Sequence, residues 1–213
     1  MDKGLFLRNI EISSQKGRLL SVSHDIAPGA VLSVMGPSGV GKSTLLAFIT
    51  GTLPADFSAQ GTVMLDGHNI TDLPAHKRRV GILFQDDLLF PHLSVGANLA
   101  FGLASGGTKT ARRDKIAEAL TEVDLAGFES RDPATLSGGQ KARVALMRML
   151  LSEPCALLLD EPFSRLDAAL RAQVRALVFA RAKARSLPVL MVTHDAEDAQ
   201  AAGGPIITLQ AQR

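Results

Sequence analysis

The chain has 213 residues, 46% of them hydrophobic and 21% charged, with a formal net charge of +2. Such a length supplies one large domain with a real hydrophobic core, and a near-neutral balance with no Trp and no Tyr argues against nucleic acid as a partner. A single cysteine, Cys155, excludes an internal disulfide and reads as a small buried thiol in a reducing compartment.

Alternation over residues 5–12 and 19–26 predicts two strands, antiparallel neighbours. The start, Met1-Asp2-Lys3-Gly4-Leu5-Phe6, has no long apolar stretch of the signal-peptide kind. Residues 31–35 form a short apolar run ending at Gly36, a buried strand. Helical spacing follows over 43–49, closed by Gly51. No role is evident for residues 52–60. A strand at 62–65 ends in the turn Asp66-Gly67, and 80–84 is another buried strand. The basic runs Lys77-Arg78-Arg79 and Arg112-Arg113 read as solvated faces. Helices are expected at 95–103, 109–123 and 138–151. Buried strands at 156–159 and 189–192 flank an amphipathic helix at 168–186. Strands alternating with helices predict an α/β fold whose mostly parallel sheet is covered on both faces. No run approaches the roughly 18 apolar residues that span a bilayer. A soluble chain is therefore expected, reaching a membrane only through a partner.

Gly36-Pro37-Ser38-Gly39-Val40-Gly41-Lys42-Ser43, followed by Thr44, fits the phosphate-loop pattern G-x-x-x-x-G-K-S/T. Its glycines let the backbone approach phosphate without side-chain clash. Successive N–H groups form an anion nest, and the following helix adds its positive end. Lys42 is expected at the terminal phosphates and the Ser43 hydroxyl on Mg²⁺. Asp160 and Glu161 follow four apolar strand residues. Asp160 at the strand end is placed to hold Mg²⁺ through water. Glu161, one residue on, points elsewhere and is placed to polarise an attacking water.

Further motifs carry a resemblance. Phe84-Gln85 resembles a Q-loop, and Leu136-Ser137-Gly138-Gly139-Gln140 resembles the signature of the ATP-binding cassette (ABC) ATPases. Ser164-Arg165-Leu166-Asp167 is similar to their D-loop, and Thr193-His194-Asp195 to their switch histidine. The resemblance runs from about residue 5 to 209, with the motifs in family order. It implies a P-loop NTPase of ABC type, with a mostly parallel core sheet, an antiparallel β subdomain and a helical subdomain. It places the core at about 1–85 and 153–213 and the helical part at about 88–151 of a single domain.

It also implies roles. Two copies face head to tail, with ATP between the phosphate loop of one and Ser137, Gly138, Gly139 and Gln140 of the other. Asp167 crosses that interface. Glu161, His194 and Gln85 serve catalysis, and Ser43, Gln85 and Asp160 hold Mg²⁺. The family's base-stacking aromatic falls near Ser13 or Ser14, neither of which can stack. Phe6 is a distant substitute read as core. Arg165 replaces a usually small residue, either for an interface ion pair or pointing to solvent. The remaining histidines, His24, His68, His76 and His92, match no catalytic position.

The wording of residues 85–98 looks most like bacterial importer subunits. The implied assignment is the ATP-hydrolysing homodimer of an importer, at the cytoplasmic face of the inner membrane. Its partners are integral membrane permease subunits and a periplasmic solute-binding protein. Leu88, Leu89, Phe90, Leu93 and Val95 are expected to form a groove for a permease helix. An exporter, a lipoprotein-release ATPase and a non-transport ABC ATPase remain alternatives. No regulatory domain is expected after the strand that follows His194.

Overall fold

Strand β1 (Leu5–Ser14) buries Leu5, Leu7, Ile10 and Ile12. Its alternation slips at Asn9, which has φ of +48°, and the pairing register shifts there. β2 (Gly17–Ile26) returns antiparallel to it, as the alternation predicts. The computed structural model describes residues 3–210. Expectations resting on Met1, Asp2 or the end of the chain fall outside the described residues.

The apolar run becomes β3 (Val31–Met35), followed by helix α1 (Lys42–Thr50) with Gly51 as its left-handed C-cap. β4 (Phe57–Leu65) is longer than expected, because 57–60 also pair with β1, from Ser14 opposite Phe57 to Glu11 opposite Gln60. β5 (His68–Asn69) completes a four-stranded antiparallel sheet in the order β2-β1-β4-β5. β6 (Val80–Leu83) precedes three helices, α2 (Val95–Gly102), α3 (Lys109–Thr121) and α4 (Gly138–Leu150). The chain closes through β7 (Ala156–Asp160), α5 (Ala168–Ala184), β8 (Val189–Thr193), α6 (Ala196–Ala202) and β9 (Ile206–Thr208). The second sheet is wholly parallel, in the order β6-β7-β8-β3-β9.

The period of two along a strand divides the interior into two layers. Leu157, Leu159, Val189 and Met191 face a core shared with α2 to α5. Ala156, Leu158, Leu190 and Val192 face the opposite core, shared with α1 and the antiparallel sheet. Continuous apolar strands are thus explained by burial on both faces.

Three expectations are corrected. Cys155 is only half-buried, because it precedes β7 and its side chain sits at the edge of that core. Phe6 is also half-buried, with the Arg8 guanidinium carbon 5.2 Å from its ring centre. The basic runs are not solvated faces throughout. Arg112 donates to the carbonyls of Ala100 and Ala104 at 3.1 and 2.7 Å, closing the end of α2. Arg78 is 6% exposed and donates to Phe48 and Ile49 carbonyls at 2.8 and 3.0 Å, to Leu73 at 2.7 Å, and to Thr71. The Phe48 and Ile49 carbonyls lie in the last turn of α1, and those of Leu73 and Thr71 in the segment that leads to β6. A planar guanidinium fork satisfies several at once. Burial lowers its pKa, an effect that Asp72 opposes.

Arg78→Ala is expected to destabilise the protein by about 3 kcal/mol, because several buried carbonyls lose their donors together. Thermal unfolding should shift down by roughly 6–12 °C for a domain of this size. A shift under 2 °C would mean that water replaces the guanidinium.

Candidate functional site

Four neighbouring parallel strands end at one edge, where sites form in open α/β sheets. β3 leads into the phosphate loop, β6 into Gln85, β7 into Glu161 and β8 into His194. Gly41 has φ of +99°, and a Cβ there would stand 2.7 Å from Leu19 Cδ2. The left-handed conformation disfavours a side chain, and one would press on the Leu19 and Leu20 side chains. As N-cap of α1, Gly41 offers no side-chain acceptor, so the first-turn N–H groups are left for an anion.

Lys42 is 6% exposed, and its ammonium donates to the Gly36 and Pro37 carbonyls at 2.7 and 3.0 Å. An ammonium has a third proton for phosphate oxygen. Ser43 Oγ donates to Asp160 Oδ1 at 3.2 Å, joining the loop to the end of β7. Burial raises the Asp160 pKa; the Ser43 hydrogen bond opposes this, the Glu161 charge adds to it, and Lys42 opposes it. Two carboxylates side by side beside a phosphate loop invite a cation.

Glu161 adopts φ of +46°, a conformation that costs a residue with a side chain about 1–2 kcal/mol. The backbone is held there from both sides. Glu161 N–H donates to the Val192 carbonyl at 3.0 Å, and Ser164 Oγ donates to the Glu161 carbonyl at 2.9 Å. The carboxylate then stands beside His194, with Oε2 and Nδ1 3.1 Å apart. Asp195 and Asp198 anchor the following turn through Arg171, each at 2.6 Å.

A cavity of about 550 Å³ opens here. Its lining includes Ser38, Gly39, Gly41, Lys42, Ser43 and Thr44, with Gln85, Asp160 and Glu161 opposite. Ser43, Gln85 and Asp160 offer the hard oxygen donors that suit Mg²⁺, which keeps water and phosphate oxygens for its remaining positions. No group of three His, Cys, Asp or Glu among the described residues could hold a metal without such help.

Other candidate residues do not line this cavity. Val40 turns its side chain into the core, leaving only its backbone to the loop. Ser137 caps α4, where Oγ accepts from Gln140 N–H at 3.3 Å and Gln140 Oε1 accepts from Ser137 N–H at 3.0 Å. Among the described residues, the Ser137 hydroxyl proton has no acceptor. Gly138 and Gly139 open the same helix, and a Cβ on Gly139 would stand 2.3 Å from Leu170 Cδ1. Asp167 caps α5, accepting from Leu170 N–H at 3.0 Å. Arg165 pairs with Asp86, beside Gln85, within the same chain and stays largely exposed.

The groove beside Gln85 also differs from expectation. It is a separate cavity of about 500 Å³, where Leu88 and Phe90 are joined by Phe84 and Phe101. Leu88 and Phe101 are 55% and 70% exposed. Val95 is fully buried because α2 turns that side inward, and Leu89 packs partly against the same helical core. Residues that sequence reasoning missed hold this loop. Arg148 donates to the carbonyls of Leu88 and Asp87 at 2.9 and 3.2 Å from the far end of α4. Buried Asn98 accepts from Phe90 N–H at 2.8 Å and donates to its carbonyl at 3.1 Å. Neither has a local pattern that would reveal it.

Comparison with known proteins gives a consistent result. A family model described as ABC transporter matches residues 19–164. The chain is 48% identical to the uncharacterized ABC transporter ATP-binding protein YnjD of Escherichia coli K12, over 92% of this chain and 91% of that one. It is 44% identical to the thiamine import ATP-binding protein ThiQ of Jannaschia sp., over 92% and 84%. It is 43% identical to the Fe(3+) ions import ATP-binding protein FbpC of Agrobacterium fabrum, over 89% of this chain but about half (53%) of that protein.

Proposed function

The chain belongs to the ABC transporter ATP-binding family, and from that membership we propose that it is the ATP-hydrolysing subunit of a bacterial importer. Relatives named for iron and thiamine import favour this over the exporter, lipoprotein-release and non-transport readings. The observation that carries the enzymatic part is the joined cluster at the strand ends. Ser43 bonds Asp160 at 3.2 Å, and Glu161 lies 3.1 Å from His194, all beside the phosphate loop.

The nucleotide's phosphates lie on the N–H groups of residues 38–44, with the Lys42 ammonium at the terminal phosphate. Ser43, Asp160 and Gln85 would hold Mg²⁺, which when bound would neutralise charge on the phosphate oxygens. Glu161 orients a water and takes its proton as the water oxygen attacks the terminal phosphorus. The bond to the ADP oxygen breaks. His194 positions the Glu161 carboxylate through Nδ1.

Ser137, Gly138, Gly139, Gln140 and Asp167 stand outside the cavity. In this reading they complete the site of a second copy, where the Ser137 hydroxyl proton and the first turn of α4 meet the terminal phosphate. ATP thereby joins two copies head to tail. α4 carries Ser137 at one end and Arg148 at the other, so its movement is felt by the segment after Gln85. Among the described residues, we assign about 88–151 as a helical subdomain on the core formed by the segments up to about 85 and from about 153.

No helix among the described residues is long and apolar enough to cross a membrane. Permease subunits tether the protein to the inner membrane's cytoplasmic face, with a periplasmic binding protein delivering solute. The groove of Phe84, Leu88, Phe90 and Phe101 takes a short permease helix. Phosphate release from MgATP by the purified protein tests the enzymatic part, and absence of release refutes it. Leu88→Asp with Phe101→Asp tests the partner. Both side chains are exposed, so folding and ATP binding should persist while co-purification with the permease is lost. Retained co-purification would move the docking site elsewhere.

A further inference from the structure

We propose that Phe57 is the wall on which the nucleotide's base stacks, supplied by β4 rather than β1; the inference rests on the nucleotide reading above. Of the residues lining the phosphate-loop cavity, only Leu19 and Phe57 carry apolar side chains, and Phe57 is the one aromatic among them. The other lining groups are glycines, hydroxyls, an amide and charges, which suit phosphate and cation. A purine needs an apolar face, and an aromatic ring supplies it best.

Phe57 is held firmly. It is the first residue of β4, and its N–H donates to the Pro54 carbonyl at 3.1 Å. It pairs across the ladder with Ser14 of β1 and packs partly against the core beneath α1. Ser14 is one of the two positions, with Ser13, near which the base-stacking aromatic of the family falls. Directly opposed residues of antiparallel strands place their Cβ atoms about 4.5–5.5 Å apart. The ring therefore reaches the same rung from the neighbouring strand, displaced by little more than one strand spacing. A second cavity of about 280 Å³ adjoins the first through Leu19, Ser38 and Gly39 and reaches Ser14, so space for the base continues beyond the phosphate loop. The aromatic residues Phe84, Phe90 and Phe101 line the other groove, beside Gln85.

Every base has a π-face, so such a wall serves guanine as well as adenine. GTP should compete within about tenfold of ATP, and both should lose affinity together when the ring is removed.

The test is binding of MgATP, MgGTP and magnesium tripolyphosphate, which has the phosphates without the base. Phe57→Leu keeps apolar volume and removes the ring; Phe57→Ala removes both. Each is expected to weaken ATP and GTP by about tenfold and to leave tripolyphosphate unchanged. Phe57→Trp introduces the chain's sole tryptophan. Its emission should change with ATP and not with tripolyphosphate. Wild-type ATP affinity in Phe57→Leu overturns the proposal, and so does equal loss of tripolyphosphate, which would mark a purely structural ring. Lys42→Ala separates the two readings. If it weakens all three ligands while Phe57→Leu weakens none, only the stacking wall falls. If the unaltered protein binds none of the three, the nucleotide reading falls and takes the wall with it.

Discussion

Glu161→Gln should bind ATP with nearly unchanged affinity and hydrolyse it about 10²–10⁴-fold more slowly, the range that a positioned general base contributes. Shape is preserved, but an amide cannot take the proton of the attacking water. Binding rests on other groups, namely the loop N–H groups, Lys42 and the Ser43–Asp160 pair. The Glu161 backbone is held by Val192 and Ser164 irrespective of the side chain, so its φ of +46° should persist. Bound ATP that is not consumed should keep two copies together. Phosphate release and size-exclusion chromatography with ATP and Mg²⁺ measure both effects. Turnover within a few-fold of the native protein would remove Glu161 from the chemistry. A persistent monomer would contradict the shared site.

Lys42→Ala should lose about 100-fold or more in ATP affinity. A charge-assisted hydrogen bond contributes about 1.5–3 kcal/mol, and the ammonium's field at the terminal phosphate adds to it. The same ammonium ties the Gly36 and Pro37 carbonyls together, so the loop also loses its internal brace. Ser137→Ala makes the contrast. Its hydroxyl caps α4 and does not line the cavity of its own chain. Binding to the monomer should survive, while hydrolysis and ATP-dependent dimerisation fall. Isothermal titration and turnover measured on both variants decide the matter. Equal loss of monomer affinity in the two would place Ser137 in its own chain's site.

Much of the architecture was legible because it is written locally. The strand Val31–Met35 is apolar at every position but Ser33 and ends at a glycine, so its limits were readable as they stand. The helices α2, α3 and α4 were placed within two residues of their ends, since each has a capping residue and a periodic pattern. The phosphate loop and the Asp160-Glu161 pair were visible for a similar reason. Their chemistry demands particular residue types at fixed spacing around a buried strand.

Contacts between segments distant in sequence had no such signature. Phe57 lay in a stretch without apparent purpose, and only pairing with Ser14 brings it to the cavity. Arg78 looked like one member of a solvated basic run until the end of α1, about thirty residues away, supplied carbonyls for it to fill. Arg165 found Asp86 across 79 positions of sequence. Val95 and Phe101 shared an apolar character, yet packing sent one into the core and the other to the surface. Side-chain type and local period decide what a segment becomes. Which buried donor, carbonyl or ring it meets depends on the three-dimensional path of the whole chain, so only the tertiary structure could decide those partners.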